Sequence, residues 1–216
     1  TLASFDWVMS REPEWFSTIY GVYFFSGIFT SGLAAVCVVS AWLWRKGPFR
    51  EVLTDHHRHD LGKLLFGMSS FWMYIWFSQF MLIWYVNFPE ETSHYVARQV
   101  GLLQPLFWAN VILNWAVPFL ALMPQSAKKN TKTLVNVSAV VLVGHGLDLY
   151  MAVLPKTHRP ADLVGLAVLS LGFAALGWWV VRRALGRSRL LPVGDPYLVE
   201  SLPPADHPHT VGGSSP

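Results

Sequence analysis

The chain has 216 residues, of which 53% are hydrophobic and only 13% are charged, and it contains 11 tryptophans. So few charges cannot cover the surface of a soluble protein of this size, so the composition indicates a membrane-embedded protein. The net charge of +3 does not call for nucleic acid as a partner, because the basic residues lie between apolar segments, where they set membrane topology.

Residues 1–14 are predicted to form an extracytoplasmic segment. They lack the basic start and the apolar core of a signal peptide. Because the sequence does not begin with Met, we expect a segment of a longer or processed polypeptide.

Five stretches are long enough to cross a bilayer, which takes about 20 apolar residues. The predicted fold is an all-α integral membrane protein, with residues 15–184 forming a five-helix transmembrane domain: four helices in a bundle and a fifth at its periphery. The predicted spans are residues 15–44, 61–87, 104–123, 134–154 and 163–181.

The first span carries small residues at four-residue intervals, Gly27, Ser31 and Ala35. This spacing lets membrane helices approach closely. The same span contains the single cysteine of the chain, Cys37, which excludes an internal disulfide framework or a thiolate cluster within this chain.

Three histidines and two aspartates lie close together just before the second span. Their spacing matches no recognised zinc geometry and they adjoin a helix end, so we predict a solvated loop and no metal site. These residues are Asp55, His56, His57, His59 and Asp60.

The second span has one stripe of polar side chains, which we predict to be buried, while Trp72 and Trp76 face elsewhere. A purely structural role is open for its serines, because Ser in membrane helices bonds to its own backbone. The stripe consists of Ser70, Tyr74, Ser78 and Tyr85.

The third span carries Asn110 and Asn114 one helical turn apart, followed by Pro118. Proline cannot donate to the carbonyl of Asn114, so a kink or a freed acceptor is expected there. The two asparagines can equally serve as polar contacts between helices.

His145 and Asp148 lie one turn apart inside the fourth span, on the same face as Ser138. A charged side chain in a membrane helix is costly and marks a functional site by default. The pair is interpreted as a proton-handling or polar-ligand site, or alternatively as a satisfied interhelical pair in which each residue is the other's partner. A b-type haem between helices needs two histidines at matching depth, so haem within this chain is not expected.

The fifth span is nearly bare of polar residues and is predicted to be peripheral. The remaining residues, 185–216, are expected to form a proline-rich cytoplasmic tail that lies along partner subunits or is disordered.

Loop charges orient the predicted helices. Basic residues cluster after spans one, three and five, whereas the other ends carry most of the acidic residues, so the N-terminus is predicted outside and the C-terminus in the cytoplasm. The basic clusters are Arg45, Lys46, Arg50, Arg58 and Lys63, then Lys128, Lys129 and Lys132, then Arg182, Arg183, Arg187 and Arg189.

Four stretches resemble the NrfD/PsrC family of quinone-interacting membrane subunits, and within it the F-type subunit (quinone-binding subunit 2) of bacterial alternative complex III. The most specific is GKLLFGMSSFWMYIWFSQFMLIWYVNFPEET at 62–92. The others, in the same order as in that subunit, are SFDWVMSREPEWFSTIYGVYFF at 4–25, NWAVPFLALMP at 114–124 and LPVGDPYLVESL at 191–202. The resemblance implies the C-terminal half of such a subunit.

The resemblance implies a subunit of a quinol:electron-acceptor (cytochrome c type) oxidoreductase in a bacterial inner membrane, which is not catalytic alone. Expected partners are lipid, quinol, a sister NrfD-like subunit, an iron–sulfur subunit and a c-type cytochrome subunit. No cofactor is expected on this chain; the iron–sulfur clusters and c-type haem belong to partners, and the family's quinol pocket is ascribed to another bundle. The alternatives are a structural scaffold and a proton-coupled transporter, although five helices without an inverted repeat argue against the transporter.

No catalytic residue is predicted within the chain. The candidate residues instead form two sets, one for proton transfer and one that supports the polar interior of the bundle. The proton-transfer candidates are Asp148, His145, Tyr74, Ser78 and Ser138, and the supporting residues are Asn110, Asn114 and Tyr23.

Overall fold

The computed structural model describes residues 1–46, 53–101, 103–153 and 160–187. Every regular element in these residues is a helix, which confirms the predicted all-α class. The α-helices are α1 (Leu2–Trp7), α2 (Tyr20–Lys46), α3 (Asp55–Val86), α4 (Pro89–Arg98), α5 (Leu103–Val111), α6 (Val117–Leu122), α7 (Gln125–Lys129), α8 (Thr131–Val153) and α9 (Pro160–Leu185). The predicted tail lies almost wholly outside the described residues.

Four of the described helical stretches are long and apolar enough to cross a membrane, so the chain is a multi-pass membrane protein. They are Tyr20–Arg45, Leu103–Leu122, Thr131–Val153 and Ala167–Leu185. Helix α3, predicted as the second span, is absent from this set although its 32 residues extend for about 48 Å at 1.5 Å per residue. The serines, tryptophans, tyrosines and Gln79 within its apolar part lower the mean hydropathy of that part.

Helices α2 and α3 pack side by side and run antiparallel. Near the start of α2, the ring of Tyr23 lies 6.0 Å from that of Trp72, well along α3. Near its end, the guanidinium of Arg58, from the first turn of α3, lies over Trp44. The two helices therefore stay in contact along most of their length.

The other two bundle helices continue this alternation. Trp76 of α3 packs on Phe107 of α5, whereas the earlier residue Phe66 packs on Phe119 of α6. Asn110 of α5 in turn contacts Asp148, far along α8. The result is an up-and-down bundle of α2, α3, α5–α6 and α8.

The helix formed by α5 and α6 is interrupted by a π-helical segment, Ile112–Ala116. Asn114 lies within it and Pro118 follows two residues after its end. A π-turn widens the helix by one residue, a feature that is frequent at functional sites. The irregularity that we predicted from Pro118 is therefore present, as a widened turn just before the proline.

The core of the bundle differs between its two ends. At the end that carries α4 and residues 1–19, here called the outer end, the buried cluster is mostly aromatic and includes Trp15, Tyr20, Trp72 and Trp76. At the opposite end it is built from smaller, mostly aliphatic side chains. That cluster consists of Ala34, Cys37, Leu65, Leu122, Leu134, Val137 and Val141.

Two predictions about where the first two long helices begin are wrong. The first helix begins at Tyr20 and not at residue 15, because Trp15 is buried against α4 instead of entering the span. The histidine cluster is not a loop, since Thr54 caps α3 through a capping box with His57 and the helix begins at Asp55.

The predicted burial of the polar stripe on the second span is reversed. Tyr74 is 65% exposed and Tyr85 is 81% exposed, whereas Trp72 is fully buried and Trp76 is 7% exposed. Large aromatic rings fill the space between the bundle helices better than the serines do. The tyrosines consequently lie on the outside of α3.

Helix α9 lies at the periphery, as predicted. No residue in its most apolar window is buried, and the ring of Trp178 packs on Trp42 of α2 at 5.1 Å. Such an exposed apolar surface is expected of a helix that faces lipid or another subunit.

Candidate functional site

Asp148 lies near the outer end of α8 and is held by two other helices. Its Oδ1 accepts hydrogen bonds from the hydroxyl of Tyr23 on α2 and from Nδ2 of Asn110 on α5, the latter at 2.7 Å. Asn114 Nδ2 donates to Asn110 Oδ1 at 2.5 Å. The structure thus brings the three residues predicted as polar support together around the carboxylate.

A glycine on α8 allows this network to form. A methyl group added at Gly144 would lie 2.4 Å from Asn114 Oδ1 and 2.9 Å from the Cβ of Leu113. No real Cβ makes such a contact, so only glycine lets the π-helical segment approach α8 this closely. The small residue on one helix and the widened turn on the other together place Asn114 in the bundle interior.

His145 is buried on the same helix but does not pair with Asp148, which corrects the prediction that each is the other's partner. Its ring packs edge-on against Trp72 at 5.5 Å and lies beside Gly27. A spacing of three residues turns the two side chains about 60° apart around the helix axis, so they contact different neighbours. His145 Nε2 has no hydrogen-bond partner among the described residues.

A polar cavity, here called the chamber, adjoins Asp148 on the side of the outer end. Its volume of about 40 Å³ is enough for a few water molecules, since a single water molecule needs about 10–15 Å³ of cavity volume. Hydroxyl, amide, imidazole and guanidinium groups supply the hydrogen-bond partners that such water needs. Its lining comprises Tyr20, Tyr23, Trp76, Gln79, His94, Tyr95, Arg98, Phe107, Asn110, Asp148, Met151 and Ala152.

An ionic cluster lies at the outer side of the chamber, where two of its members, His94 and Arg98, line the cavity. Glu12 accepts hydrogen bonds from His94 Nδ1 and from Arg98, both at 2.8 Å. Trp15 stacks on the His94 ring at a centroid distance of 3.8 Å. Residues 12–15 are thereby fixed to α4, and we call Glu12, His94 and Arg98 the outer cluster.

The pKa values of the outer cluster define its charges. Burial alone raises the pKa of the Glu12 carboxyl, but the hydrogen bond from His94 and the charge of Arg98 outweigh it and lower the pKa to about 2. Burial lowers the pKa of His94 to about 4, against the opposing hydrogen bond to Glu12. At neutral pH, a neutral His94 therefore donates to an ionised Glu12, which also pairs with Arg98.

A second cavity reaches Asp148 from the side of the bundle. This lateral groove, of about 190 Å³, opens between α2 and α8. Asp148 lies between the groove and the chamber, since it lines both. The groove is lined by Phe24, Gly27, Ile28, Ser31, His145, Asp148 and Leu149.

Three of the predicted proton-transfer residues lie away from this site. Tyr74 is on the outer surface of α3, and Ser78 is half-buried. Ser138 is fully buried beside Cys37. It lies before His145 on α8, about 10 Å from it along the helix axis. None of the three is in the chamber lining.

Sequence reasoning missed most of the residues around the chamber. Gln79 had a usable signal, because it is a polar residue inside an otherwise apolar span. The outer cluster had none, since Glu12 lies more than 80 residues before His94 and Arg98 and only the fold brings it to them. The described residues contain no group of three or more His, Cys, Asp or Glu side chains placed to hold a metal ion.

Comparison with known proteins agrees with the resemblance seen in the sequence. No curated protein matches the chain significantly. Residues 1–157 match the model of a protein family described as polysulphide reductase, NrfD. The match covers 157 of 216 residues and includes the whole bundle with its polar site. The chain therefore belongs to the NrfD family.

Proposed function

We propose that this protein is a membrane subunit of a quinol:electron-acceptor oxidoreductase, in which Asp148 transfers protons between the bundle interior and the outer side. Membership of the NrfD family supports the assignment, because NrfD subunits are membrane components of quinol or quinone oxidoreductases. The chain itself supplies a site for protons. The electron carriers of the complex, iron–sulfur clusters and c-type haem, belong to partner subunits. A sister NrfD-like subunit is a further partner.

The position of Asp148 between the two cavities is the observation that carries the proposal. A carboxylate inside a membrane protein is retained where it pairs, binds a ligand or relays protons. Tyr23 and Asn110 both donate to Oδ1, and the Asp148 carboxylate is the group that takes up a transferred proton. Water in the chamber then carries the proton onward. His145, which shares the lateral groove with Asp148, is the next group towards the bilayer.

We further propose that all five long helices span the membrane. Because α3 lies against α2 along most of its length, it crosses wherever α2 crosses. From the loop charges we infer that the outer end, with residues 1–14 and α4, faces the extracytoplasmic side, and from the family resemblance that the membrane is a bacterial inner membrane. We infer an F-type subunit of alternative complex III, with a cytochrome c type acceptor, from the resemblance of residues 62–92 to that subunit.

The test is quinol oxidation and proton release by the assembled complex carrying Asp148→Asn. The amide keeps the size of the side chain but cannot take up or release a proton near neutral pH, so we expect turnover or proton yield to fall by about tenfold or more. The matched control is Asp6→Asn, which makes the same change at an exposed residue of α1. Normal turnover and proton stoichiometry in an assembled Asp148→Asn complex would contradict the proposal and leave a scaffold role.

A further inference from the structure

We propose that the chamber exchanges water and protons with the outer surface through an opening at Gln79. Residues 16–19 form the cover of this opening, and the outer cluster holds them in place. The inference rests on the proposed function, because it supplies the outer end of the route that begins at Asp148. Its own evidence is the placement of Gln79 and of residues 16–19.

Gln79 lies between two cavities. It lines the chamber, of about 40 Å³, and it also lines a larger groove of about 180 Å³ at the outer end of α3. The groove is bounded by residues 16–19 on one side and by Leu82, Ile83 and Glu91 on the other. A single side chain thus lines both the chamber and the groove.

The side-chain amide of Gln79 is a buried group that needs a hydrogen-bond partner such as water. The side chain is only 3% exposed, and its Nε2 has no hydrogen-bond partner among the described residues. Buried polar groups without a protein partner are normally satisfied by ordered water. Water at Gln79 would join the contents of the chamber to those of the groove, which makes a continuous route from Asp148 to the outside.

The wall of the groove is positioned by the outer cluster. Residues 16–19 follow directly after Trp15, which stacks on His94, and after Glu12, which bonds to both His94 and Arg98. These contacts fix the preceding residues to α4. They therefore hold the wall over Gln79 and limit the width of the opening.

The experiment measures the access of a small ion to a thiol at this position. The complex carrying Gln79→Cys is assembled with its partners in sealed vesicles of known sidedness, and Ag⁺ is added on the side of residues 1–14. After denaturation, free thiols are alkylated, and mass spectrometry measures the fraction of the introduced thiol that Ag⁺ had protected. Because each peptide of this chain is measured separately, Cys37 does not have to be replaced.

We expect Gln79→Cys to be protected roughly tenfold faster than a buried control, as accessible thiols react selectively. The control is Ser69→Cys, a fully buried position on the same helix. Equal rates for the two variants, or access only from the opposite side, overturn the proposal. If Gln79→Cys does not assemble, Met151→Cys in the chamber wall replaces it, with the same expected protection.

The cover is tested in the same assay. Glu12→Gln should raise the protection rate at Gln79→Cys, because it loosens residues 16–19, whereas Glu14→Gln at an exposed neighbour should not. An unchanged rate with Glu12→Gln overturns the role of the outer cluster. Since Ag⁺ access needs no turnover, this result is independent of the Asp148→Asn experiment, and either proposal can fail while the other stands.

Discussion

The contact between Gly144 and Asn114 gives the sharpest test of how the polar site is held. In Gly144→Ala the added methyl would lie 2.4 Å from Asn114 Oδ1 and 2.9 Å from both Asn114 Cγ and Leu113 Cβ. Because backbone lies behind these atoms, the helices must separate or Asn114 must leave its place. Overpacking of this kind costs about 1–3 kcal/mol.

The displacement also breaks the hydrogen bond from Asn114 to Asn110. This bond lies within one helix, and a hydrogen bond contributes about 0.5–1.5 kcal/mol net, so the total loss for Gly144→Ala is roughly 1.5–4.5 kcal/mol. Asn110 also donates to Asp148, so the position of the carboxylate should be disturbed as well. We therefore expect lower stability together with reduced turnover.

Gly146→Ala is the matched control for this change. It lies on the same helix two residues later, and outside the adjoining backbone of α8 no atom of the described residues lies within 4 Å of its added methyl. Alanine is favoured over glycine in helices by up to about 1 kcal/mol, so this variant should be neutral or slightly more stable. The difference in stability is measured by heating the two purified complexes and monitoring the release of this subunit. Indistinguishable midpoints would refute the close approach of α8 to the π-helical segment.

Two predictions concern the outer cluster. Glu12→Gln leaves the buried Arg98 guanidinium without its counter-charge and should cost about 3–5 kcal/mol, against less than about 0.5 kcal/mol for Glu14→Gln, as measured by unfolding. Acidification should weaken the same region, because the pKa values of His94 and Glu12 are both lowered in the folded state, from 6.5 to about 4 and from 4.5 to about 2. The unfolded chain then binds more protons, so stability falls from about pH 6.5 downwards. Hydrogen exchange of residues 89–98 between pH 7 and pH 4 checks this; constant or increasing protection would contradict it.

Composition and hydropathy were enough to identify a helical membrane protein, and they located the long helices to within a few residues at most ends. The exceptions were the starts of the first two: α3 begins at Asp55, six residues before the predicted span, and at the first span an aromatic residue, Trp15, resembled membrane sequence but packs on α4. Aromatic side chains suit both a bilayer interface and a protein core. Hydropathy therefore cannot decide which of the two surrounds them.

The polar residues of the third and fourth spans were also evident in the sequence, because Asn110, Asn114, His145 and Asp148 are costly inside a membrane and conspicuous in apolar runs. Their partners were not evident. Only the packing of four helices shows that Asp148 is bonded by Tyr23 and Asn110 while His145 lies against Trp72.

The tertiary structure alone decided which face of α3 is buried and what lies around the chamber. The periodicity of a helix shows which residues share a face, but it does not show which face its neighbours cover, and the aromatic face of α3 is the one buried. The outer cluster joins Glu12 to residues more than 80 positions away. Contacts at such separations depend on how the helices pack, and no local pattern of residues encodes them.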